Sequence, residues 1–151
     1  MHHHPVRLLL ACLLAAVFVV GPVGTAAAAP SDTYEADAIR YTNAERTKRG
    51  LVALRAQACL DKYAERLAVA LSREQRLRHS NLSTIARDCR LRTVGENVAY
   101  GYPSGKAVVA GWMGSSGHRA NILNRSFRLI GLGAVQDGRG RWWVAQTFGA
   151  V

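Results

Sequence analysis

The sequence lacks several features that would point to a particular chemistry. From residue 29 onward it has no internal repeat and no low-complexity tract, and it holds only two histidines and two cysteines there. It contains no G-x-S-x-G nucleophile elbow and no recognised metal-ligand spacing. The missing elbow argues against serine hydrolysis, and any metal ligands would have to converge from separate elements. A chain of this length is predicted to fold as one domain.

Acidic residues are also scarce. From residue 29 onward, 19 basic residues stand against 10 acidic ones, and only three of the basic residues are lysines. Such a surface attracts polyanions, including anionic wall polymers, acidic lipid headgroups and nucleic acid. The basic residues are scattered rather than run together, which is typical of a solvated basic surface and predicts no specific nucleic-acid partner.

The N-terminal stretch has the three parts of a secretory signal. One firm positive charge, Arg7, precedes the apolar run LLLACLLAAVFVVGPVG and the small residues of TAAAAP. An A-x-A site ends at Ala28, so the pattern predicts a signal peptide over 1–28 and a secreted domain over 29–151. The alternatives are a transmembrane anchor, for which the apolar run is a little short, and a lipoprotein box at Cys12. No membrane anchor is expected after cleavage.

Cys59 and Cys89 are the cysteines left after that cleavage. An even count in a secreted chain predicts a disulfide bond. It would close a loop of about 30 residues, worth roughly 3–4 kcal/mol in the chain-entropy model. The alternative is a pair of buried free thiols.

Helical signals dominate the first half of the domain. Ser31 or Asp32 can cap a helix that runs without a breaker to about Lys48, where Gly50 provides a C-terminal stop. A second helix is predicted over 59–77. Its apolar residues recur at helical spacing and predict the buried face: Leu60, Ala64, Leu67, Ala68 and Leu71.

The middle of the chain is less regular. Residues 78–93 show no clear period and predict a loop with one helical turn. The stretch VGENVAYG, residues 94–101, predicts a short strand or extended turn. Ser104 can cap a third helix over 105–115, and HRANILN predicts one further helical turn.

The chain ends in strand signals. Residues 128–136 and 141–149 predict two strands, and the glycines of DGRG between them predict a hairpin turn. Helices followed by an antiparallel hairpin indicate an α+β fold, with helices packed on a small antiparallel sheet.

His79, Glu96 and His118 are the candidate site residues. Both histidines sit among small polar residues, in RHSN and SSGHRAN, and Glu96 interrupts an apolar run. Histidine binds metals and transfers protons near neutral pH, although a lone histidine is more often held by a backbone carbonyl. The residues alone leave open whether the three share one site.

Six stretches occur in the order seen in the CAP superfamily, which includes cysteine-rich secretory, antigen 5 and pathogenesis-related 1 proteins. They are NAERTKRGL, RHS, GENVAYG, GWMGSSGHRANILN, LIGLGAV and WWVAQTFG. The sequence resembles the short bacterial secreted branch of this family, usually called SCP-domain proteins, over roughly Asp32 to Gly149. The resemblance implies a three-layer α-β-α sandwich with a small antiparallel sheet.

The resemblance also implies a cavity that family members line with two histidines and two glutamates. His79, Glu96 and His118 match three of these positions. The fourth differs, because Ser115 stands where plant and animal members have the second glutamate. Losing one carboxylate weakens tight divalent-cation binding.

Two interpretations of the cavity are open, one with a metal ion and one without. Two imidazoles and a carboxylate suit Zn²⁺ or another divalent cation, with Ser115 or Ser116 and water completing the site. Alternatively, Glu96 accepts hydrogen bonds from both imidazoles in a cluster that holds no metal.

The functional expectation follows from the resemblance. It implies a secreted, non-enzymatic module that binds an extracellular ligand: a lipid, an anionic wall component or another protein. The alternative is a metal-dependent extracellular hydrolase acting on peptide or cell-wall substrates. Among the remaining residues, Asn43 and Arg46 are expected to tie the first helix to its neighbours. Trp142 and Trp143 face opposite sides of a strand, so one of them is expected in the core.

Overall fold

The computed structural model describes residues 29–151, so the predicted signal peptide lies outside the described residues. Nine helices and strands follow one another in this part of the chain: α1 (Pro30–Thr47), β1 (Arg55–Ala56), α2 (Ala58–Glu74), α3 (Leu82–Asp88), β2 (Thr93–Tyr100), α4 (Gly105–Gly114), α5 (Ser116–Ile122), β3 (Leu129–Gln136) and β4 (Trp142–Ala150). None of the helices described between residues 29 and 151 is long and apolar enough to cross a membrane.

The four strands form one sheet in the order β1-β3-β4-β2. Strands β2, β3 and β4 are antiparallel, with Glu96 opposite Thr147 and Asn97 opposite Gln146. The α+β class is therefore confirmed, with one difference. The two-residue strand β1 pairs in parallel with β3 where only a link was predicted. Two residues are too few to show an alternating pattern.

Helices cover both faces of the sheet. On one face, Val98 of β2 packs with Leu67 and Leu71 of α2. On the other, Ala99 packs with Trp112 of α4, in a cluster that also contains residues of α1 and α5. Successive strand residues point to opposite faces, so Glu96 shares the α2 face with Val98, and Asn97 shares the other face with Ala99.

The predicted helices form with small shifts at their ends. Helix α2 stops at Glu74 because Gln75 adopts a left-handed conformation, with φ of 51°, so the segment 75–77 is not helical. All five residues of the predicted α2 face are buried.

The helix α3 was expected only as a turn. Asn81 caps it by accepting a hydrogen bond from Thr84 N at 3.2 Å, and Ile85 is its one buried residue. Seven residues with a single buried side chain show no periodicity, which explains why the helix was missed.

Arg46 is the largest charged side chain in the core and is fully buried. Its guanidinium donates to four backbone carbonyls at 2.7–3.2 Å: those of Val52, Ile122, Asn124 and Phe127. Burial, and then the nearby Arg128, lower the pKa of this group below its usual range. Asn43, one helical turn earlier, bonds both backbone groups of Leu54. These two side chains tie α1 to the loops around it, as expected.

Carboxylates from two helices protect the outer edge of β3. Asp61 Oδ1 accepts from Leu132 N at 3.2 Å, and Glu35 Oε1 accepts from Ala134 N at 2.8 Å. Unpaired backbone groups at a sheet edge invite pairing with another chain, and these bonds occupy them. Burial raises the pKa of the Glu35 carboxyl from 4.5 to about 7, opposed by the Ala134 hydrogen bond and assisted by neighbouring acids, Glu65 foremost.

Glu35 should make the protein less stable as pH rises. The pKa of Glu35 is higher in the folded state than in the unfolded state. Its contribution to the stability of the fold is therefore complete below pH 4.5 and is lost as the pH rises through about 7. The carboxyl is partly exposed, so solvent screening reduces the loss to about 1 kcal/mol. Relative to Glu35→Gln, which keeps an acceptor for Ala134 N, the wild type should lose this amount between pH 4.5 and 7. Urea unfolding across this range measures the difference.

Glu74→Gln is the control for this comparison. In the wild type, the hydrogen bond with Arg78 lowers the pKa of the Glu74 carboxyl. The Glu74→Gln variant should therefore not reproduce the pH-dependent difference in stability. Parallel stability curves for wild type and Glu35→Gln would contradict the prediction.

Candidate functional site

Glu96 lies in the middle of β2 and is almost completely buried, with 1% of its side chain exposed. Its Oε1 atom accepts hydrogen bonds from His79 Nδ1 at 2.8 Å and from Ser80 N at 3.0 Å. Both donors belong to the loop between α2 and α3. A buried carboxylate needs such partners, and here they hold the loop against the sheet.

The second oxygen of this carboxylate, Oε2, is buried and has no hydrogen-bond partner. The hydroxyl of Thr147, which lies opposite Glu96 on β4, is likewise buried without a hydrogen-bond partner among residues 29–151. These are the two buried side-chain polar atoms of residues 29–151 that lack a partner. Buried polar atoms are nearly always satisfied, so this spot beneath His79 is suited to accept a polar group or water.

His118 reaches the site from α5, and a network of amide side chains positions that helix. Asn97 Nδ2 donates to the carbonyl of His118 at 3.2 Å. Asn121 Nδ2 donates to Glu96 O at 3.1 Å and to Asn97 Oδ1 at 3.0 Å. Gln146 accepts from Asn97 and donates to Thr42 of α1. No sequence pattern predicts this network, because isolated amide side chains in strands and helices show no periodicity.

The two imidazoles are close enough to influence each other. Burial first, and then the proximity of His79, lower the pKa of the His118 ring. The Glu96 carboxylate bonds the ring of His79, and among the hydrogen bonds of residues 29–151 there is none from the ring of His118 to Glu96. The expected cluster in which one carboxylate binds both imidazoles is therefore formed on the His79 side only.

A cavity of about 530 Å³ opens beside this group, at the C-terminal end of β2. Residues of β2, α4, α5 and the adjoining loops line it: Leu77, Val98, Ala99, Tyr100, Gly101, Tyr102, Gly111, Trp112, Ser115 and His118. Neither His79 nor Glu96 is part of this lining. Val98, which does line the cavity, lies on the same face of β2 as Glu96.

Aromatic side chains shape the cavity. Tyr102 lies directly on α4, where a Cβ at position 111 would meet its hydroxyl at 2.4 Å, so the close approach requires Gly111. Tyr100 is half exposed and stacks on Trp143, with ring centroids 5.0 Å apart. Trp143 is buried while Trp142 is only partly so, in line with the expected division of that pair between core and surface.

The donor set fits a metal only in a limited way. Within residues 29–151 no group of three or more histidine, cysteine, aspartate or glutamate side chains is arranged to hold a metal ion. Glu96 Oε1 is engaged by His79 Nδ1 and Ser80 N, which leaves His79 Nε2 as the free ring nitrogen. The arrangement fits a carboxylate that orients a ligating imidazole. Protein zinc sites normally have three or four protein ligands, so two imidazoles alone form a weak set.

The serines beside His118 do not form a catalytic pair with it. Ser115 lines the cavity at the junction of α4 and α5, while Ser116 is exposed. Among the hydrogen bonds of residues 29–151, neither hydroxyl bonds a histidine, and a serine nucleophile needs such a base.

Comparison with known proteins gives concordant matches. The model of the cysteine-rich secretory protein family, CAP, matches residues 39–148. The YkwD protein of Bacillus subtilis is 34% identical over 134 residues, which is 83% of this chain and 51% of that protein. The chain thus spans about half the length of this curated relative.

Solved structures show the same fold. An extracellular SCP-domain protein of Bacillus anthracis aligns with a TM-score of 0.71 at 21% identity, over 84% of this chain and 45% of that one. An outer surface protein of Borrelia burgdorferi aligns with a TM-score of 0.68 at 21% identity, over 74% of this chain and 88% of that one. At such identities the likeness concerns the fold alone.

Proposed function

The chain belongs to the cysteine-rich secretory protein (CAP) family, and from that premise we propose that it acts as an extracellular ligand-binding module rather than as an enzyme. The signal-like N-terminal sequence supports the location. So do the structural neighbours, one described as extracellular and another as an outer surface protein.

The cavity at the end of β2 carries this proposal. Its volume of about 530 Å³ is within the usual range for small-molecule sites. Leu77 and Val98 supply apolar surface, Tyr100 and Tyr102 supply aromatic faces, and His118 and Ser115 are its polar side chains. A ligand with an apolar or ring-bearing body and one polar end fits this lining, as in a lipid or a fragment of a wall polymer. The imidazole of His118 would bind the polar end.

A divalent cation is a secondary element of the proposal. The imidazoles of His79 and His118 would hold it, and Glu96 would orient the first of them. When bound, the cation would supply positive charge for an anionic ligand group. The absent second glutamate, replaced by Ser115, leaves the cavity with less negative charge than the four-residue family pattern.

A metal-dependent hydrolase is the second candidate. The observation in its favour is the 2.8 Å hydrogen bond between Glu96 and His79, because a carboxylate-oriented imidazole is a common general base. Against it stands the absence, within residues 29–151, of any group of three or more side chains arranged to hold a metal ion.

Partly filling the cavity should weaken ligand binding. Ser115→Phe places a ring in the cavity, and we expect it to weaken binding by at least about tenfold, the cost of losing a little over 1.4 kcal/mol of contacts. Two probes, a dansylated fatty acid and a fluorescent peptidoglycan fragment, test the two ligand classes by titration. Saturable one-to-one binding of at least one probe to the wild type is the expected result.

Ser116→Phe is the matched control, because Ser116 is the exposed neighbour that does not line the cavity. It should bind like the wild type. No saturable binding of either probe, or equal binding by both variants, would contradict the ligand-binding proposal. Incubation with peptidoglycan and peptides, with and without Zn²⁺, tests the second candidate: turnover that Glu96→Gln abolishes would favour the hydrolase.

A further inference from the structure

Three arginines lie in a row across the sheet end opposite the cavity. Arg55 N donates to Arg128 O at 2.9 Å, Arg128 N to Gly149 O at 3.0 Å, and Arg92 N to Ala150 O at 2.8 Å. These bonds place the three residues at the same end of β1, β3 and β2, with β4 between the last two. At about 4.8 Å per strand the row is roughly 14 Å wide.

Two more arginines extend the row into the adjoining loops. Arg90 precedes Arg92 by two residues, and the carbonyl of Arg125 accepts from the Arg128 guanidinium. We call the five residues Arg55, Arg90, Arg92, Arg125 and Arg128 the basic end. All five are exposed. Among the ion pairs of residues 29–151, none involves a member of the basic end.

Several arginines elsewhere in the molecule are paired. Arg40, Arg49, Arg78 and Arg141 each bond a carboxylate three or four residues away at 2.6–2.8 Å. Other arginines, such as Arg73 and Arg139, are unpaired among residues 29–151 but lie away from the basic end. The basic end differs because five arginines without ion pairs, from segments far apart in sequence, meet there. The sequence showed this charge only as scattered residues.

Apolar surface accompanies the charge. Val52 is 60% exposed, and its carbonyl shares the Arg46 guanidinium with the carbonyls of Asn124 and Phe127, which flank Arg125 and Ser126 in the sequence. Val52 thus lies beside the basic end. None of the four cavities described in residues 29–151 is lined by a member of the basic end. The surface therefore presents guanidinium groups that form no ion pair within residues 29–151, together with an exposed valine.

We propose that the basic end docks the protein on the surface of an anionic phospholipid bilayer. Guanidinium groups bind phosphate bidentately, and each basic residue near such a surface contributes about 1 kcal/mol. A surface that lines none of the four described cavities fits an extended plane of headgroups, and Val52 can enter the interface between headgroups and acyl chains. The cavity lies about 24 Å away along β2, so docking leaves it open to solvent.

The Arg55→Gln plus Arg125→Gln variant tests this proposal, because neither side chain makes a hydrogen bond within residues 29–151, where only the backbone groups of the two residues do. Sedimentation with vesicles of phosphatidylcholine containing about a third phosphatidylglycerol measures partitioning. Two lost charges should lower the partition coefficient by about 30-fold. Arg73→Gln plus Arg139→Gln removes the same charge at the other end of the molecule and should change it by less than about threefold. Equal losses of vesicle binding in the two double variants would show that net charge alone drives the binding, and would overturn the proposal.

Val52→Ser separates a bilayer from a soluble polyanion. It should weaken vesicle binding by at least about threefold and leave binding to inorganic polyphosphate unchanged. Binding to polyphosphate that matches vesicle binding at equal phosphate concentration, with no effect of Val52→Ser, would favour a polymer partner and overturn the bilayer proposal. Matching thermal unfolding of all variants establishes that each one is folded.

Discussion

Arg46→Met is expected to lower the free energy of unfolding by about 4 kcal/mol. The guanidinium of Arg46 is the common donor for four backbone carbonyls, one in the loop after α1 and three between the end of α5 and β3. Methionine fills much of the volume but donates no hydrogen bond, so the buried carbonyls of Ile122 and Phe127 lose their donor. Each such loss costs about 1–3 kcal/mol, and removing the buried charge offsets part of the sum. Urea unfolding followed by circular dichroism measures the difference.

Two further variants define the cause. Arg46→Lys keeps the charge, but a single ammonium group cannot reach the four carbonyls that the planar guanidinium reaches. About half of the stability loss seen in Arg46→Met should therefore remain. Arg40→Met, on the exposed side of the same helix, removes a surface pair with Asp37 and should leave the free energy of unfolding nearly unchanged. A loss below about 1 kcal/mol for Arg46→Met would contradict the assigned role.

Removing the disulfide is expected to cost about 3–4 kcal/mol. The structure confirms the predicted bond between Cys59 and Cys89, which closes a 30-residue loop and joins the start of α2 to the end of α3. Its loss in Cys59→Ala plus Cys89→Ala releases the unfolded chain from that constraint. The unfolded state then exposes more surface, so the dependence of stability on urea concentration should become steeper as the midpoint falls.

Reduction of the wild type is the internal control, since it removes the bond without changing the sequence. It should lower the stability by the same amount as the double variant. A steeper urea dependence distinguishes the lost cross-link from a merely weakened core, for which the slope would stay constant. An unchanged midpoint in the reduced wild type would overturn the prediction.

The long elements could be predicted because their signals are local. The buried face of α2, the cap at Ser104 and the two final strands each depend on residues within one element, and the structure shows them with ends shifted by a few residues. The strand β1 and the helix α3 are too short to carry such a signal. Both exist because tertiary neighbours hold them: β3 pairs with Arg55 and Ala56, and Ile85 of α3 is buried under the disulfide region.

The site was predictable only in part. The family resemblance singled out His79, Glu96, Ser115 and His118, and the structure places Glu96 and its partner His79 at the middle of β2 and the other two at the cavity by the end of that strand. It brings Glu96 into contact with His79 and puts Ser115 and His118 in the cavity lining. The pairing of Glu96 with one imidazole, the unpartnered Oε2 and the amide network through Asn97 depend on distances between elements that no sequence pattern encodes.

The sequence by itself determined the family, the α+β class, the disulfide and the surplus of arginine over acid. These properties follow from composition, motif order and local periodicity. The tertiary structure decided where that surplus is left unpaired and what meets Glu96. Arg40, Arg49 and Arg78 find carboxylates within one helical turn, whereas the basic end assembles from residues up to 73 positions apart, Arg55 to Arg128, that approach only when the strands pair. Likewise Glu96 in VGENVAY is an isolated charge in the sequence, and only the folded loop before α3 supplies its partners.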